Sequence, residues 1–370
     1  MRLLLCGGGT AGHINPAIAV AEEIKKQNPD AQILFIGREG GRENEIIKNS
    51  GLELQTIKIQ GIKRSLNPEN IKSVILAIRA IAKAKKIIKR FKPDVILGTG
   101  GYVCWPVITA GKSLGIPSAI HESNISPGLT TKLLAKKSDI VFLNRKETEN
   151  YLPKGTKTLA VGNPLRQGFA KVSRNEAREK LKIKENETLI VSFGGSIGAE
   201  KMNEVILRII ENYSSKKDGV KHIHATGKRY YDKTRDYNKF ERFGCKIIPF
   251  INNMAETLMA ADIVISRSGA MTLSELSEVG VSAILVPSPN VTDNHQFINA
   301  KYLFDLGAAD LITEENLTEE TLKRAIERLK IDKNGRKKRA KNIKALSTPK
   351  SAKLIAKELI LLKSGIKRTV

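Results

Sequence analysis

Residues 7–13 read GGGTAGH, and this stretch decides the fold class of the chain. It follows the short apolar segment 2–6 and precedes a segment with Ile18, Val20 and Ile24 that is typical of a helix. A strand, a glycine turn and a helix in this order indicate a doubly wound parallel sheet. The glycines also satisfy G-x-G-x-x-G, the fingerprint of dinucleotide-binding enzymes. The other interpretation is a tight turn without a ligand, with His13 as a polar residue of the first helical turn.

A dehydrogenase would place an acidic residue at the end of its second strand to hold the ribose. Here that end reads GREGG at residues 37–41, so only Glu39 is available. The surrounding glycines indicate a loop instead. A NAD-dependent dehydrogenase is therefore the weakest of the enzyme interpretations.

Short β-branched or leucine-rich segments alternate with helical segments along the whole chain. They fall at residues 2–6, 32–36, 95–97, 118–121, 140–143 and 158–161, and again at 189–193, 221–225, 246–249, 263–266 and 283–287. This alternation predicts an α/β protein with two doubly wound parallel sheets. Glycine and proline at 162–164 stop the first series. The expected domains are 1–162 and 163–345, followed by a helical segment at 346–370.

Composition narrows the class of protein. The 370 residues suit two domains that each bury a core, and 63 Lys+Arg against 38 Asp+Glu give a net charge of +25. Such a charge indicates an anionic partner, either nucleic acid or a phospholipid surface. Cys6, Cys104 and Cys245 lie far apart and form neither a disulfide framework nor a metal knuckle. No apolar run approaches the ~20 residues that span a bilayer, so we expect a soluble or peripheral protein.

Ligands of doubly wound sheets bind at the carboxyl ends of the strands, so the loops after strands are the candidate sites. A second glycine loop, GTGGY at residues 98–102, follows the third of the strand-like segments. It indicates close backbone approach to a second substrate, or a crowded packing point against residues 7–13. The polar residues HESN at 121–124 end the next strand. We expect their side chains to line the same crevice.

The third loop, GGSIGA at residues 194–199, opens the second half of the chain. It contains G-x-S-x-G, the nucleophile elbow of α/β-hydrolases, for which Asp262 and His295 would be the partners. An elbow lies within one large hydrolase domain, whereas this loop starts a half that mirrors the first. A ligand-binding turn is therefore the better interpretation.

The fourth loop, SRSGAMTLSE at residues 266–275, carries the most information. It leads from a strand into a helix, whose N-terminus favours an anion such as a diphosphate. Glu275 could accept hydrogen bonds from a ribose diol, although a helix-capping role is the alternative. His222 and His224 share one face of a strand, but no third ligand is near in sequence. We interpret them as a structural pair rather than a zinc site.

Seven motifs, in order and spacing, together resemble the MurG family of glycosyltransferases. They are GGGTAGHINP at 7–16, GTGGYVCWP at 98–106, HESN at 121–124, VGNPLR at 161–166, GGSIGA at 194–199, SRSGAMTLSE at 266–275 and DNHQFINA at 293–300. The resemblance implies a GT-B fold with two Rossmann-like domains facing across a cleft, and a last helix that returns to the N-terminal domain. The N-terminal domain would take the acceptor lipid I, and the C-terminal domain would bind the donor UDP-N-acetylglucosamine (UDP-GlcNAc).

The resemblance also implies site residues for inverting transfer of GlcNAc to the C4 hydroxyl of lipid I, giving lipid II in peptidoglycan synthesis. The residues expected at the sugar and diphosphate are Thr10, Ala11, Gly12, Asn124, Arg166 and Ser196; at uracil, the backbone of Ile251; at diphosphate and ribose, Ala270, Met271, Thr272, Leu273, Ser274 and Glu275; and at the GlcNAc hydroxyls, Gln296. His13 is the first candidate for the catalytic base and Glu122 the second. We expect no cofactor and no metal.

The chain departs from the usual family pattern at three positions. Ala11 replaces a common glycine, Ile197 a common glutamine, and Trp105 a small residue beside the expected acceptor loop. The backbone should tolerate Ala11, whereas Ile197 removes a polar side chain. The alternative acceptor is diacylglycerol, as in a related UDP-sugar glycolipid synthase.

The positive charge concentrates at residues 58–92, where eleven basic residues stand against Glu69 alone. Apolar residues lie between them at spacings that form one helical face: Ile62, Leu66, Ile71, Val74, Ile75, Ile78 and Ile81. This pattern indicates reversible docking on the anionic inner surface of the cell membrane, on its cytoplasmic face. A helix with a core-facing apolar side is the alternative. We expect no nucleic-acid partner, and cell-wall synthesis or division proteins are further candidate partners.

Overall fold

The computed structural model describes residues 1–41, 43–61, 69–166, 172–195, 197–213, 219–232 and 236–365. Thirteen strands lie in these ranges: β1 Arg2–Cys6, β2 Gln32–Arg38, β3 Glu53–Ile57, β4 Val95–Gly98, β5 Ser118–Glu122, β6 Ile140–Leu143, β7 Thr158–Ala160, β8 Thr188–Phe193, β9 Val220–Ala225, β10 Cys245–Ile248, β11 Ile263–Ser266, β12 Ser282–Leu285 and β13 Asp310–Leu311.

Thirteen α-helices alternate with these strands in the described ranges: α1 Ala11–Gln27, α2 Glu43–Asn49, α3 Glu69–Phe91, α4 Cys104–Ser113, α5 Leu129–Leu134, α6 Arg174–Lys180, α7 Glu200–Tyr213, α8 Met254–Ala260, α9 Ala270–Val279, α10 His295–Asp305, α11 Glu319–Ile331, α12 Lys333–Lys344 and α13 Ser351–Lys363. Short 3-10 helices span Lys146–Tyr151, Asn238–Phe243 and Thr292–Asn294. None of the helices in the described residues is both long and apolar enough to cross a bilayer.

The chain forms two compact units. Unit 1 comprises Met1–Arg166 together with Thr348–Val370, and unit 2 comprises Gln167–Ser347. The sequence pattern placed the boundary after Gly162, four residues before the observed one, because it used the glycine and proline as the break. The segment 163–166 instead continues unit 1.

Unit 1 is built on a seven-stranded sheet of order β3-β2-β1-β4-β5-β6-β7, with every neighbouring pair parallel. The leucines of β1 alternate between its two faces, so Leu3 and Leu5 enter one apolar cluster and Leu4 the other. Both faces are covered, as is usual for parallel sheets. Helix α13 adds Ile355 and Leu359 to the cluster around Leu3, against α1.

Unit 2 repeats this plan with a six-stranded parallel sheet of order β10-β9-β8-β11-β12-β13. In each sheet the order reverses direction beside the first strand of the unit, β1 or β8. The helices that follow the two strands at this position pack on opposite faces of the sheet, and ligands of doubly wound sheets bind at such positions. The four glycine-rich loops of the sequence follow β1, β4, β8 and β11, so they lie at these two positions. The predicted α/β class with two parallel sheets is confirmed.

Candidate functional sites in each unit

The two glycine loops of unit 1 are packed against each other. Gly8 N donates to Gly100 O at 3.2 Å, and the Thr99 hydroxyl donates to His13 O at 2.6 Å. Gly101 has φ +83°, and a Cβ there would lie 2.2 Å from Gly8 O. Only glycine allows both that conformation and that approach. The second loop therefore supports the first, which was one of the two interpretations of its glycines.

The ring of His13 has a defined orientation at the start of α1. Its Nδ1 lies 2.8 Å from Gly8 O, and a carbonyl oxygen only accepts hydrogen bonds, so Nδ1 carries the proton in the neutral ring. Nε2 then has the free lone pair that a general base needs. A Cβ at Gly100 would lie 2.9 Å from Nε2, so the glycine keeps this nitrogen clear.

Glu122, the second candidate base, ends β5 and is only 6% exposed. One carboxylate oxygen accepts from the backbone and side-chain nitrogens of Asn124, both at 3.0 Å. The other accepts from Gly128 N at 3.1 Å and from the Thr131 hydroxyl at 2.6 Å. With four donors on its two oxygens, this carboxylate fixes the loop and the amide of Asn124. It is a poorer candidate for proton transfer than His13.

The side chains of residues 121–124, expected near the crevice, differ in their exposure. His121, Glu122 and Ser123 are buried, and only Asn124 is partly accessible. Burial lowers the pKa of His121 to about 4, and its Nε2 lies 3.1 Å from Gly162 O. A short polar sequence at the end of a strand does not show which of its side chains are buried.

The remaining unit 1 candidates lie at the ends of elements. Thr10 is the N-cap of α1 without a capping side-chain bond, and Ala11 and Gly12 form the first helical turn. Arg166 is about half exposed, and its Nε lies 3.8 Å from a carboxylate oxygen of Glu22 on α1. Exposed ion pairs of this kind are weak, so Arg166 can exchange this partner for a ligand phosphate.

Unit 2 contains an open cavity of about 810 Å³. It is lined by Gly194, Gly195, Ile197, Gly198, Ala199, Glu200, Lys201, Glu204, Tyr230, Arg267, Ser288, Asn290, Gln296 and Glu314. The glycine loop after β8 thus meets the loops after β11, β12 and β13. Ser196, the other candidate of this loop, lies outside the described residues. Ile197 is 57% exposed, which is unusual for isoleucine and places an apolar group at the cavity wall.

Gln296, in the first turn of α10, is held at this cavity by two bonds. Its Oε1 accepts from Ser288 N at 3.0 Å, and its backbone oxygen accepts from the Ser268 hydroxyl at 2.8 Å. Because Oε1 is already engaged, the amide can offer Nε2 to a ligand as a donor.

Helix α9 carries the block of candidates from Ala270 to Glu275. It begins after Gly269, and no acidic side chain lies in its first turn, so its positive end suits an anion. Burial raises the pKa of Glu275 to about 7, although part of its surface remains accessible. Ile251, expected to use its backbone, is buried just beyond β10.

The hydrolase interpretation fails on its partner residues. Asp262 is bound by Arg174 and Arg178 and accepts from Leu189 N at 2.9 Å. The Nδ1 atom of His295 lies 2.7 Å from the backbone oxygen of Thr292, in its own turn. Neither residue is arranged as the second or third member of a catalytic triad.

The two histidines of β9 form a buried network of their own. The Ser192 hydroxyl lies 2.7 Å from His222 Nε2 and 2.8 Å from His224 Nδ1. Burial lowers the pKa of His222 to about 3 and that of His224 to about 4, so both are neutral near pH 7. Ser192 sits on the neighbouring strand, directly across from His224.

The sequence motifs assigned no role to the five charged residues that line this cavity: Glu200, Lys201, Glu204, Arg267 and Glu314. Arg267 stands inside a quoted motif, where its position between two serines was a usable signal. Lys201 lies in α7, and Glu314 follows the two-residue strand β13. Neither residue belongs to one of the sequence motifs. Only the packing of four loops brings them together.

Known proteins resemble the chain over almost its full length. The model of the glycosyltransferase family 28 N-terminal domain matches residues 3–143, and that of the C-terminal domain matches residues 189–359. A protein of Acetivibrio thermocellus is 42% identical over 94% of both chains. One of Caldanaerobacter subterraneus subsp. tengcongensis is 44% identical over 89% of this chain and 91% of its own. Both are named UDP-N-acetylglucosamine--N-acetylmuramyl-(pentapeptide) pyrophosphoryl-undecaprenol N-acetylglucosamine transferase.

Solved structures agree with this relationship. The crystal structure of Acinetobacter baumannii MurG has a TM-score of 0.77 and 26% identity, covering 97% of this chain and 99% of that one. A UDP-GlcNAc 2-epimerase from Neisseria meningitidis, with 14% identity and a TM-score of 0.65 over 97% of this chain and 100% of its own, shares the fold. The chain therefore belongs to glycosyltransferase family 28 and has the GT-B fold, with two Rossmann-like units.

Proposed function

We propose that this protein transfers GlcNAc from UDP-GlcNAc to the C4 hydroxyl of undecaprenyl-diphospho-MurNAc-pentapeptide (lipid I), giving lipid II for peptidoglycan synthesis. The observation that carries this proposal is the 42% identity, over 94% of both chains, to a relative named for that transfer. The acceptor in that name is a lipid diphosphate, not diacylglycerol, which favours lipid I over the glycolipid alternative.

The donor binds to unit 2 in this proposal. The N-terminus of α9 receives the diphosphate, since its free N–H groups and helix dipole favour negative charge. Glu275 accepts the ribose hydroxyls, Gln296 donates to a GlcNAc hydroxyl, and the backbone of Ile251 meets uracil. The cavity of about 810 Å³ beside Gln296 is within the size range of small-ligand sites.

The acceptor binds to unit 1, and His13 is the general base. Nε2 takes the proton of the C4 hydroxyl as its oxygen attacks the anomeric carbon of the donor sugar. The bond from that carbon to the diphosphate oxygen breaks, and attack from the opposite face turns an α-linked donor into a β-1,4 product. The Nδ1 bond to Gly8 O stabilises the positive ring that results.

The departing UDP gains negative charge as the bond breaks. The α9 N-terminus faces this charge with fixed dipoles, and such preorganised groups need no reorganisation during the reaction. Arg166 supplies a cation after it leaves Glu22. Thr10, Ala11, Gly12, Asn124 and Ser196 complete the proposed contacts to sugar and diphosphate.

The proposed site of action is the cytoplasmic face of the cell membrane, with α3 of unit 1 on the lipid surface. Val74, Ile75 and Ile78 are exposed on this helix, Ile78 at 62%, while Ala84 and Ile88 further along enter the core. Helix α4 packs against both α3 and α5, and α5 adds exposed Leu129 and Leu133. The first residues of the expected apolar face, Ile62 and Leu66, lie outside the described residues.

Basic residues follow this apolar surface along α3. Arg79, Lys83, Lys86, Lys89 and Arg90 of α3 are exposed. Each cation near an anionic leaflet contributes ~1 kcal/mol, so a few of them give reversible attachment. An enzyme that binds this way meets a lipid-linked acceptor without spanning the bilayer.

A transfer assay tests the proposed function. The protein is incubated with labelled UDP-GlcNAc and either a lipid I analogue or diacylglycerol, with UDP-glucose as the control donor. We expect label in the lipid fraction only with UDP-GlcNAc and lipid I. Transfer to diacylglycerol alone, or no transfer from UDP-GlcNAc, would contradict the proposal.

A further inference from the structure

Arg267 and Glu314 form an ion pair at the wall of the unit 2 cavity. Their side chains are 12% and 19% exposed, and Arg267 Nη2 donates to the Glu314 carboxylate. Arg267 follows β11 and Glu314 follows β13, two strands that are separated by β12 in the sheet. The pair therefore links two loops across the end of the strand between them.

The other terminal nitrogen of the guanidinium, Nη1, contacts the loop after β12. Arg267 Nη1 donates to Val286 O and to Pro287 O, both at 3.2 Å. The next residue along the chain is Ser288, whose backbone N–H donates to Gln296 Oε1. A continuous chain of contacts thus runs from Glu314 through Arg267 to the amide of Gln296.

Glu314 is itself fixed from a fourth element. Lys201 of α7 donates its Nζ to the Glu314 backbone oxygen at 2.5 Å. This bond holds the backbone of Glu314, whose carboxylate pairs with Arg267. A neutral residue in place of Glu314 would leave Arg267 without the carboxylate that orients its two terminal nitrogens.

We infer that Glu314 is a positioning residue for donor-sugar recognition, acting through Arg267 and Ser288 to hold the Gln296 amide with Nε2 turned toward the GlcNAc hydroxyls. The inference rests on the proposed function, because Gln296 is taken there to contact the sugar. We therefore expect the binding of the GlcNAc group to depend on this chain of contacts. The binding of the uridine diphosphate group should not depend on it.

Isothermal titration of UDP-GlcNAc and of UDP tests this division, with Glu314→Ala and the matched control Glu315→Ala. Glu315 is the exposed neighbour of Glu314. We expect Glu314→Ala to weaken UDP-GlcNAc binding about tenfold, the effect of one well-placed hydrogen bond, and to leave UDP binding unchanged. Glu315→Ala should change neither. If Glu314→Ala does not fold, Glu314→Gln should show the same selective loss at smaller size.

A double-mutant cycle with Gln296→Ala tests the route of the effect. If Glu314 acts through Gln296, adding Glu314→Ala to Gln296→Ala causes no further loss of UDP-GlcNAc affinity. Additive losses, or equal changes in UDP and UDP-GlcNAc affinity, would overturn the inference. Wild-type protein that binds UDP but shows no preference for UDP-GlcNAc over UDP-glucose would instead count against the proposed donor.

Discussion

At the residue scale, the hydrogen bond from His13 Nδ1 to Gly8 O decides which ring nitrogen can act as a base. Replacing His13 with Ala should lower kcat about 10²- to 10⁴-fold, the usual contribution of a general base. Affinity for UDP-GlcNAc should change little, because the His13 side chain is assigned to the acceptor hydroxyl and not to the donor. Steady-state kinetics and donor titration measure the two effects. Unchanged turnover would show that His13 is not the base and would leave Glu122 as the candidate.

Glu275 predicts a pH dependence of donor binding. Its pKa of about 7 reflects burial, and the ionised carboxylate accepts two ribose hydroxyls better than the protonated form. Affinity for UDP-GlcNAc should therefore fall as the pH is lowered from 8 through about 7 to 6. In Glu275→Gln the affinity should be weaker and flat across this range. An equal pH dependence in the variant would assign the titration to another group.

At the scale of elements, β5 and β9 carry three buried histidines that are neutral in the folded protein. Their pKa values of about 4, 3 and 4 lie below the unfolded value near 6.5. As the pH falls below about 6.5 the unfolded chain takes up these protons and the folded chain does not. The free energy of unfolding should then fall by about 1.4 kcal/mol per pH unit for each histidine, down to about pH 4.

Denaturant unfolding of the wild-type protein and its variants between pH 7.5 and pH 5 measures this slope. Replacing His222 and His224 with Gln should flatten it, because two of the proton-binding groups are gone. His295→Gln is the matched control, since His295 is only partly buried, and it should keep the wild-type slope. An unchanged slope in the double variant would contradict the assignment to β9.

We expect the protein to bind anionic lipid through the basic residues of α3. Changing Lys83, Lys85, Lys86 and Lys89 to Gln should weaken binding to anionic vesicles at least about tenfold, given ~1 kcal/mol per cation near the surface. UDP-GlcNAc affinity should be unchanged. The matched control changes four exposed lysines of α12, namely Lys333, Lys337, Lys338 and Lys341. Equal loss in both variants would indicate general charge attraction rather than docking through α3.

Elements with one clear pattern were predictable from the sequence, and edge elements were not. The central strands β1 and β8 are runs of apolar residues followed by glycine turns, so both were recognised. Strand β3, Glu53–Ile57, was missed because it is an edge strand of mixed composition in which only one of the five residues is buried. The two-residue strand β13 is too short for any periodicity.

At the scale of the whole molecule, the seven motifs predicted the family because all of them occur in the family's order and spacing, from residue 7 to residue 300. The sequence also placed the ligand loops at strand ends, where the structure has them. It could not reveal that the core buries Glu122 or that Glu314 reaches Arg267. The donors to the Glu122 carboxylate come from the loop that follows it, from Asn124 to Thr131, whereas the ion pair joins residues 47 apart; no sequence motif marks either set of contacts. Packing of the whole unit creates them.

The proposed reaction transfers GlcNAc to the C4 hydroxyl of lipid I with inversion at the anomeric carbon. The most direct measurement is the mass and the anomeric NMR signal of the lipid product formed from UDP-GlcNAc and a lipid I analogue. We expect a product heavier by one N-acetylhexosamine residue, with a β-configured anomeric proton. An unmodified acceptor, or an α-linked product, would contradict it.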